Sequence, residues 1–118
     1  MKTLKVAALA VAVAIGAASH ADAQAIPVPG DPGASYSLVS LKKISAKRIE
    51  VVSKRVGRSG TSYARRLVDC GAMTFKYLGE GDTLKEALVD SPDSKMSALT
   101  DGSASHGVSV YACRKSRL

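Results

Sequence analysis

The sequence predicts a small α+β domain: an antiparallel β-meander with a short C-terminal helix, stapled by one disulfide. Three observations carry that expectation. Residues 47–56 and 61–78 are rich in β-branched and aromatic side chains, and Met73, Phe75 and Tyr77 alternate with Thr74 and Lys76, the period of a half-buried strand. Between these runs Gly57-Arg58-Ser59-Gly60 supplies the glycines of a hairpin turn. Cys70 closes the second strand run and Cys113 lies near the C-terminus, so a bond between them ties the last element to the sheet.

The N-terminus sets the compartment. Lys2 and Lys5 precede residues 6–18, which are all apolar or glycine, and two small-x-small sites end at Ala21 and Ala23. A basic start, a short apolar core and a small-residue site are the three parts of a secretory signal. A membrane anchor needs about 20 apolar residues, more than this core offers. Residues 1–23 are therefore expected to be cleaved, after Ala21 or Ala23, and no transmembrane segment is expected in the mature form. In an oxidising compartment an even pair of cysteines is expected to bond. Closing a loop of that length stabilises a fold by about 4 kcal/mol in the chain-entropy account. Free thiols serving a metal or a reaction would need neighbours, and there is no Cys-x-x-Cys and only His106 beyond the signal.

The remaining residues suffice for one domain. Residues 24–34 hold Pro27, Pro29 and Pro32 with two glycines, a composition expected of an extended, flexible arm. Residues 35–118 are expected to form the sheet domain. Its first strand covers 35–41, the hairpin follows, and Gly71 allows a bend before the strand over 72–78. Gly79-Glu80-Gly81 is expected to break the sheet. Thr83 and Glu86 fit a capping box, with Leu84, Ala87 and Leu88 sharing one face of a helix of about two turns that Pro92 ends. Residues 94–102 are expected to be loop. At the C-terminus Val108, Tyr111 and Ala112 have helical spacing, begun by Ser103 or Ser105. Val108, Val110 and Ala112 also alternate as a strand would, and the balance favours helix.

Charge is uneven. The chain carries 17 Lys and Arg against 10 Asp and Glu, and between Lys42 and Arg66 the only acid is Glu50. Lys47, Arg48, Lys54, Arg55, Arg58, Arg65 and Arg66 are the candidates for contact with an anionic partner, as a basic hairpin that attracts polyanions from a distance. The competing reading is a solvated strand face whose charges discourage edge pairing. Partners that fit are an anionic envelope component or an extracellular or host protein. Export and the lack of tryptophan argue against nucleic acid. An exposed strand edge would offer homodimerisation by sheet extension.

No catalytic, metal or cofactor pattern emerges. His106 stands beside Ser103, Ser105 and Ser109, but adjacency in sequence is not a triad. Asp69, Glu80, Asp82 and Glu86 match no calcium-loop spacing, and Gly79-Glu80-Gly81 is too short to cradle phosphate. A non-enzymatic binding module is the leading expectation. A hydrolase inhibitor is the alternative, although lysozyme, itself basic, would call for an acidic surface.

One pattern resembles a family. A strand ending in Cys70 runs into the apolar strand Met73 to Leu78, and Gly102-Ser103 precedes Cys113. This resembles the surface-adhesin protein E-like domains of bacteria, across about residues 36–113. The resemblance implies an exported antiparallel sheet with a C-terminal helix and a disulfide between comparable positions. Some members are lipid-anchored. This chain has no cysteine at either cleavage site, which sets it apart from them.

Overall fold

The computed structural model describes residues 24–117; the expected signal segment 1–23 and Leu118 lie outside them. The elements run β1 (Ala25–Ile26), β2 (Ser35–Lys43), β3 (Arg48–Gly57), β4 (Gly60–Asp69), β5 (Thr74–Gly81), α1 (Leu84–Ala87), β6 (Ser97–Ala98) and α2 (Ala104–Ser116). The strands form one sheet in sequence order, with every neighbouring pair antiparallel. This is the expected meander with its C-terminal helix.

The β3–β4 hairpin closes where Gly57 pairs with Gly60. Gly60 has φ +123°, a conformation side chains exclude. From there the strands alternate cleanly. One face presents Tyr36, Leu38, Ile49, Val51 and Val68 to Val108, Ala112 and Cys113 of α2, and all are buried in one cluster. Fully burying an aliphatic side chain of this size is worth about 1.5–3 kcal/mol, so this inner face carries the core. Ser103 caps α2 by accepting the His106 N–H at 3.1 Å, and Arg114 and Lys115 occupy its last turn, where they oppose the helix dipole. The helical spacing prevails over the competing alternation: the buried residues of α2 are Ser105, Val108, Ser109, Ala112 and Cys113, the i, i+3, i+4 repeat of one helix face, and Val110 is not among them. Cys70 and Cys113 form the disulfide, with Cα atoms 5.8 Å apart.

The outer face has a thinner cover. There α1 and the turn after it lie across β4 and β5 and bury Val52, Arg65 and Ala87. Gly79 makes this approach feasible, because a Cβ there would stand 2.3 Å from the Ala87 carbonyl oxygen.

Several expectations are corrected. The 24–34 segment is extended but is part of the domain. Ile26 and Val28 enter the core, Ala25–Ile26 pairs with β2, and Leu38 N–H donates to the Gln24 carbonyl at 2.8 Å. Prolines are tolerated there because the segment is an edge. Gly79-Glu80-Gly81 does not break the sheet. It continues β5 opposite Arg65, Ala64 and Tyr63, beyond a register shift between Arg65 and Arg66. The capping box at Thr83 and Glu86 forms, yet α1 is a single turn that buries Ala87 while Leu84 and Leu88 stay exposed. The expected 94–102 loop includes β6, which pairs with the start of β5.

Among the described residues no helix is long and apolar enough to cross a membrane.

Candidate anion-binding site

The inner face is longer than the helix that covers it. Pairing aligns Ile49 with Val68 and Phe75, then Val51 with Arg66 and Tyr77, then Ser53 with Ala64 and Glu80, then Arg55 with Tyr36 and Ser62. The first of these rows lies under α2, and Val51 and Arg66 of the second meet its first turns. The later rows extend past the N-terminus of α2 and form a pocket of about 340 Å³, closed on the helix side by Ala104. Strand parity explains why these side chains converge, since residues two apart share a face.

Arg66 forms the floor. It is 4% exposed, and among the described residues the hydrogen-bond partners of its guanidinium are all hydroxyl groups. Nε donates to Ser105 Oγ at 3.1 Å, one Nη to Ser53 Oγ at 2.9 Å and the other to Tyr77 OH at 3.4 Å. Its carbon lies 5.0 Å from the centre of the Tyr77 ring, a cation–π contact. Phe75 braces that ring edge-on, with centroids 5.4 Å apart. The guanidinium fork carries five N–H donors, so two remain unused. No carboxylate pairs with Arg66 among the described residues.

Arg55 flanks the pocket. Its Nε donates to Asp31 Oδ2 at 2.9 Å, and Tyr36 OH donates to the same oxygen at 2.8 Å. The hydrogen bond from Arg55, then that from Tyr36, holds the Asp31 carboxyl below its usual range. Desolvation, then the bond to Asp31, pushes the Tyr36 phenol up. The N-terminal segment thereby fixes one wall. Glu80 and Asp82 stand at the exposed rim.

The expected basic hairpin does not gather into one patch. Arg65, adjacent to Arg66, points to the other face. There it donates to the Ala87 and Leu78 carbonyls and pairs with Asp90 and Glu50. Arg48 pairs with Asp69 at 3.3 Å, and Arg55 is held by Asp31. Lys47 and Arg58 are exposed and Lys54 is half-buried, with Lys54 on the outer face and Arg58 in the hairpin turn. The alternation of neighbouring strand residues was the available signal that Arg65 and Arg66 must part. The contributions of Ser53, Ser105, Tyr36 and Tyr77 carried no motif.

Other candidates resolve as structure. His106 Nε2 lies 3.2 Å from Asp101 Oδ1 in the first turn of α2. Asp69 accepts the Gly71 and Ala72 N–H groups at 2.9 Å each. The Ala72 bond is the chief reason its carboxyl lies below the usual range. Glu86 serves the capping box. Among the described residues no group of three or more His, Cys, Asp or Glu could hold a metal ion. A second cleft, of about 630 Å³, lies between Pro27, Pro29 and the α2 side chains Val110 and Tyr111. Compared with family models, curated proteins and solved structures, the chain matches none.

Proposed function

We propose that this chain is a non-enzymatic binding module that works after export, in the periplasm or at the cell surface, and that its ligand sets an anionic group against Arg66. The observation that carries this reading is a buried guanidinium whose partners among the described residues are all neutral. A charge removed from water is costly unless it is paired, and a carboxylate or phosphate accepts two parallel bonds from such a fork. The N-terminus of α2 adds its positive end to the same space.

The hydroxyls of Ser53 and Ser105 accept from Arg66, and no base adjoins them among the described residues, which favours binding over nucleophilic chemistry. Export rests on the basic–apolar–small pattern of residues 1–23 and on the disulfide. The resemblance to surface-adhesin protein E-like domains belongs to the same proposal. The anionic partner thus meets an inner pocket rather than a basic hairpin surface.

Titration of the protein with sodium sulfate and sodium acetate at constant ionic strength, followed by amide NMR shifts, tests the site. Saturable shifts are expected at Ser53, Arg66, Tyr77 and Ser105, and Arg66→Met should abolish them. Shifts that persist in Arg66→Met, or that cluster at Lys47 and Arg58 instead, overturn the assignment.

A further inference from the structure

We infer that the cleft between the N-terminal segment and α2 is a second binding site, and that its occupant is a single-chain amphiphile with an anionic head. The inference is independent of Arg66 and goes beyond the reading above.

Periodicity gives α2 two faces. One is buried against the sheet through Val108, Ala112 and Cys113. The rows His106–Val110–Arg114 and Gly107–Tyr111–Lys115, each spaced i, i+4, form a second stripe, and this stripe is one wall of the cleft. Pro27 and Pro29 form the other. Burial of Ile26 and Val28 anchors their segment. Gly107 lets it come close, since a Cβ there would stand 3.4 Å from the Pro27 carbonyl oxygen and the Val28 methyls. The fold itself thus builds the cleft, and its volume of about 630 Å³ is that of a small-molecule site.

The walls select against a peptide. Between its ends the cleft presents proline rings, Val110 and the Tyr111 ring. Prolines have no N–H, and the helix uses its own internally, as Gly107 N–H does in donating to the Ser103 carbonyl at 3.1 Å. A peptide laid here would bury main-chain carbonyls with no donor to meet them. An alkyl chain brings no polar group and gains from leaving water.

Charge gives the occupant its head. Neither wall carries an acid, because no Asp or Glu stands in residues 24–30 or 102–118. At one end His106 Nε2 lies 3.2 Å from Asp101 Oδ1, so that end has its counter-charge. At the other, about 14 Å away at helical rise, Arg114 and Lys115 are exposed. Neither side chain has a partner among the described residues. Two cations with no acid beside them attract an anion, and the wall between the ends covers its tail. A bilayer takes up side chains that protrude from a surface. These line a concavity, which fits one detached chain.

Titration with dodecanoate below its micelle concentration, followed by calorimetry and amide NMR, tests the site. One molecule should bind per chain, with shifts at Gly107, Val110, Tyr111 and Lys115. Hexanoate, with six fewer methylenes, should bind at least about a hundredfold more weakly. Dodecyl maltoside, whose head is neutral, should bind about tenfold more weakly, the scale of one charge-assisted hydrogen bond. Arg114→Gln with Lys115→Gln should remove that tenfold preference. Val110→Asp, at a half-buried position outside the core cluster, should abolish binding of both amphiphiles, and circular dichroism checks that it folds. Equal affinity for dodecanoate and the maltoside overturns the anionic head. Binding of neither, or of hexanoate as tightly as dodecanoate, overturns the acyl site. Shifts confined to Ser53, Arg66 and Tyr77 would sink the cleft and leave the anion pocket standing. Retention on phosphatidylglycerol vesicles without binding of monomeric dodecanoate would assign this face to a membrane instead. A dimer that Val110→Asp dissociates would assign it to a second copy of the chain.

Discussion

Arg65 and Arg66 are neighbours in sequence and nearly equal in burial, at 8% and 4% exposure, yet the two faces of the sheet treat them differently. On the outer face Arg65 is neutralised by Glu50 and Asp90 and also holds the Ala87 and Leu78 carbonyls. It is a clasp that fastens α1 and the turn after it to the sheet. On the inner face Arg66 has three hydroxyl partners and, among the described residues, no counter-charge. The same side chain completes one face and leaves the other electrostatically incomplete. A cation so placed is a structural cost unless something outside the chain neutralises it, which is why the inner face is assigned the ligand.

The two faces also differ in how they are held, and breaking the disulfide shows this with the largest effect. Cys70–Cys113 ties the end of β4 to α2 across a sequence separation of 43 residues, and nothing covalent secures the outer layer. Replacing both cysteines by serine should cost about 4 kcal/mol, read as a fall in the urea midpoint. Hydrogen exchange should rise first in α2 and at the pocket floor, while α1 keeps its protection until the domain unfolds. Loss of protection in both layers together would show that the faces are one cooperative unit.

A smaller and more pointed effect separates the arginines. Arg65→Met removes the donor that satisfies the Ala87 carbonyl and should destabilise by about 1–3 kcal/mol. The ion pair to Asp90 adds little, because that carboxylate is 85% exposed. Arg66→Met instead takes an unpaired charge out of the interior, and the existing bond between Tyr77 OH and Ser105 Oγ, 3.1 Å long, still serves two of the three hydroxyls it leaves. Its Tm should stay level or rise while anion binding is lost, the trade expected of a residue kept for function. Equal losses of Tm in the two variants would erase the distinction between the faces.

Much of the frame was legible in local chemistry. Glycines bracket the β3–β4 turn, Thr83 and Glu86 make their capping box, and two cysteines admit one intramolecular pairing. The spacing of Val108 and Ala112 marked the buried side of α2. The corrections arose where tertiary contacts outweigh local propensity. Gly79 and Gly81 look like strand breakers, but here the missing Cβ lets the Ala87 carbonyl and Glu86 approach while the ladder continues. Ile26 and Val28 are buried despite the prolines around them, because the core of so short a chain recruits the apolar residues within reach. The pocket was the least legible part. Composition shows how many charges a stretch carries, whereas their faces and partners depend on strand parity and on acids far away in sequence, such as Asp31 for Arg55 and Asp90 for Arg65.

The smallest effect concerns the wall that Asp31 pins. Its carboxyl lies below the usual 3.8, chiefly through the hydrogen bond from Arg55 and next through that from Tyr36. The folded state therefore releases this proton more readily than the unfolded chain does. The contact contributes stability that is fully present above 3.8 and lost as pH falls through the lower folded value. Asp69 has the same sign, held mainly by the Ala72 N–H, so global acid unfolding mixes the two. A local probe separates them: the Leu38 amide, which donates to Gln24 of the N-terminal segment. Its protection factor should be steady from pH 6 to 4 and fall below 3.8. In Asp31→Asn, which cannot form the charged contact, protection should already be reduced at pH 6 and no longer respond to that acid step. Wild-type protection in Asp31→Asn would mean that burial of Ile26 and Val28 alone holds the segment, and that the inner wall, like the outer clasp, stands without its carboxylate.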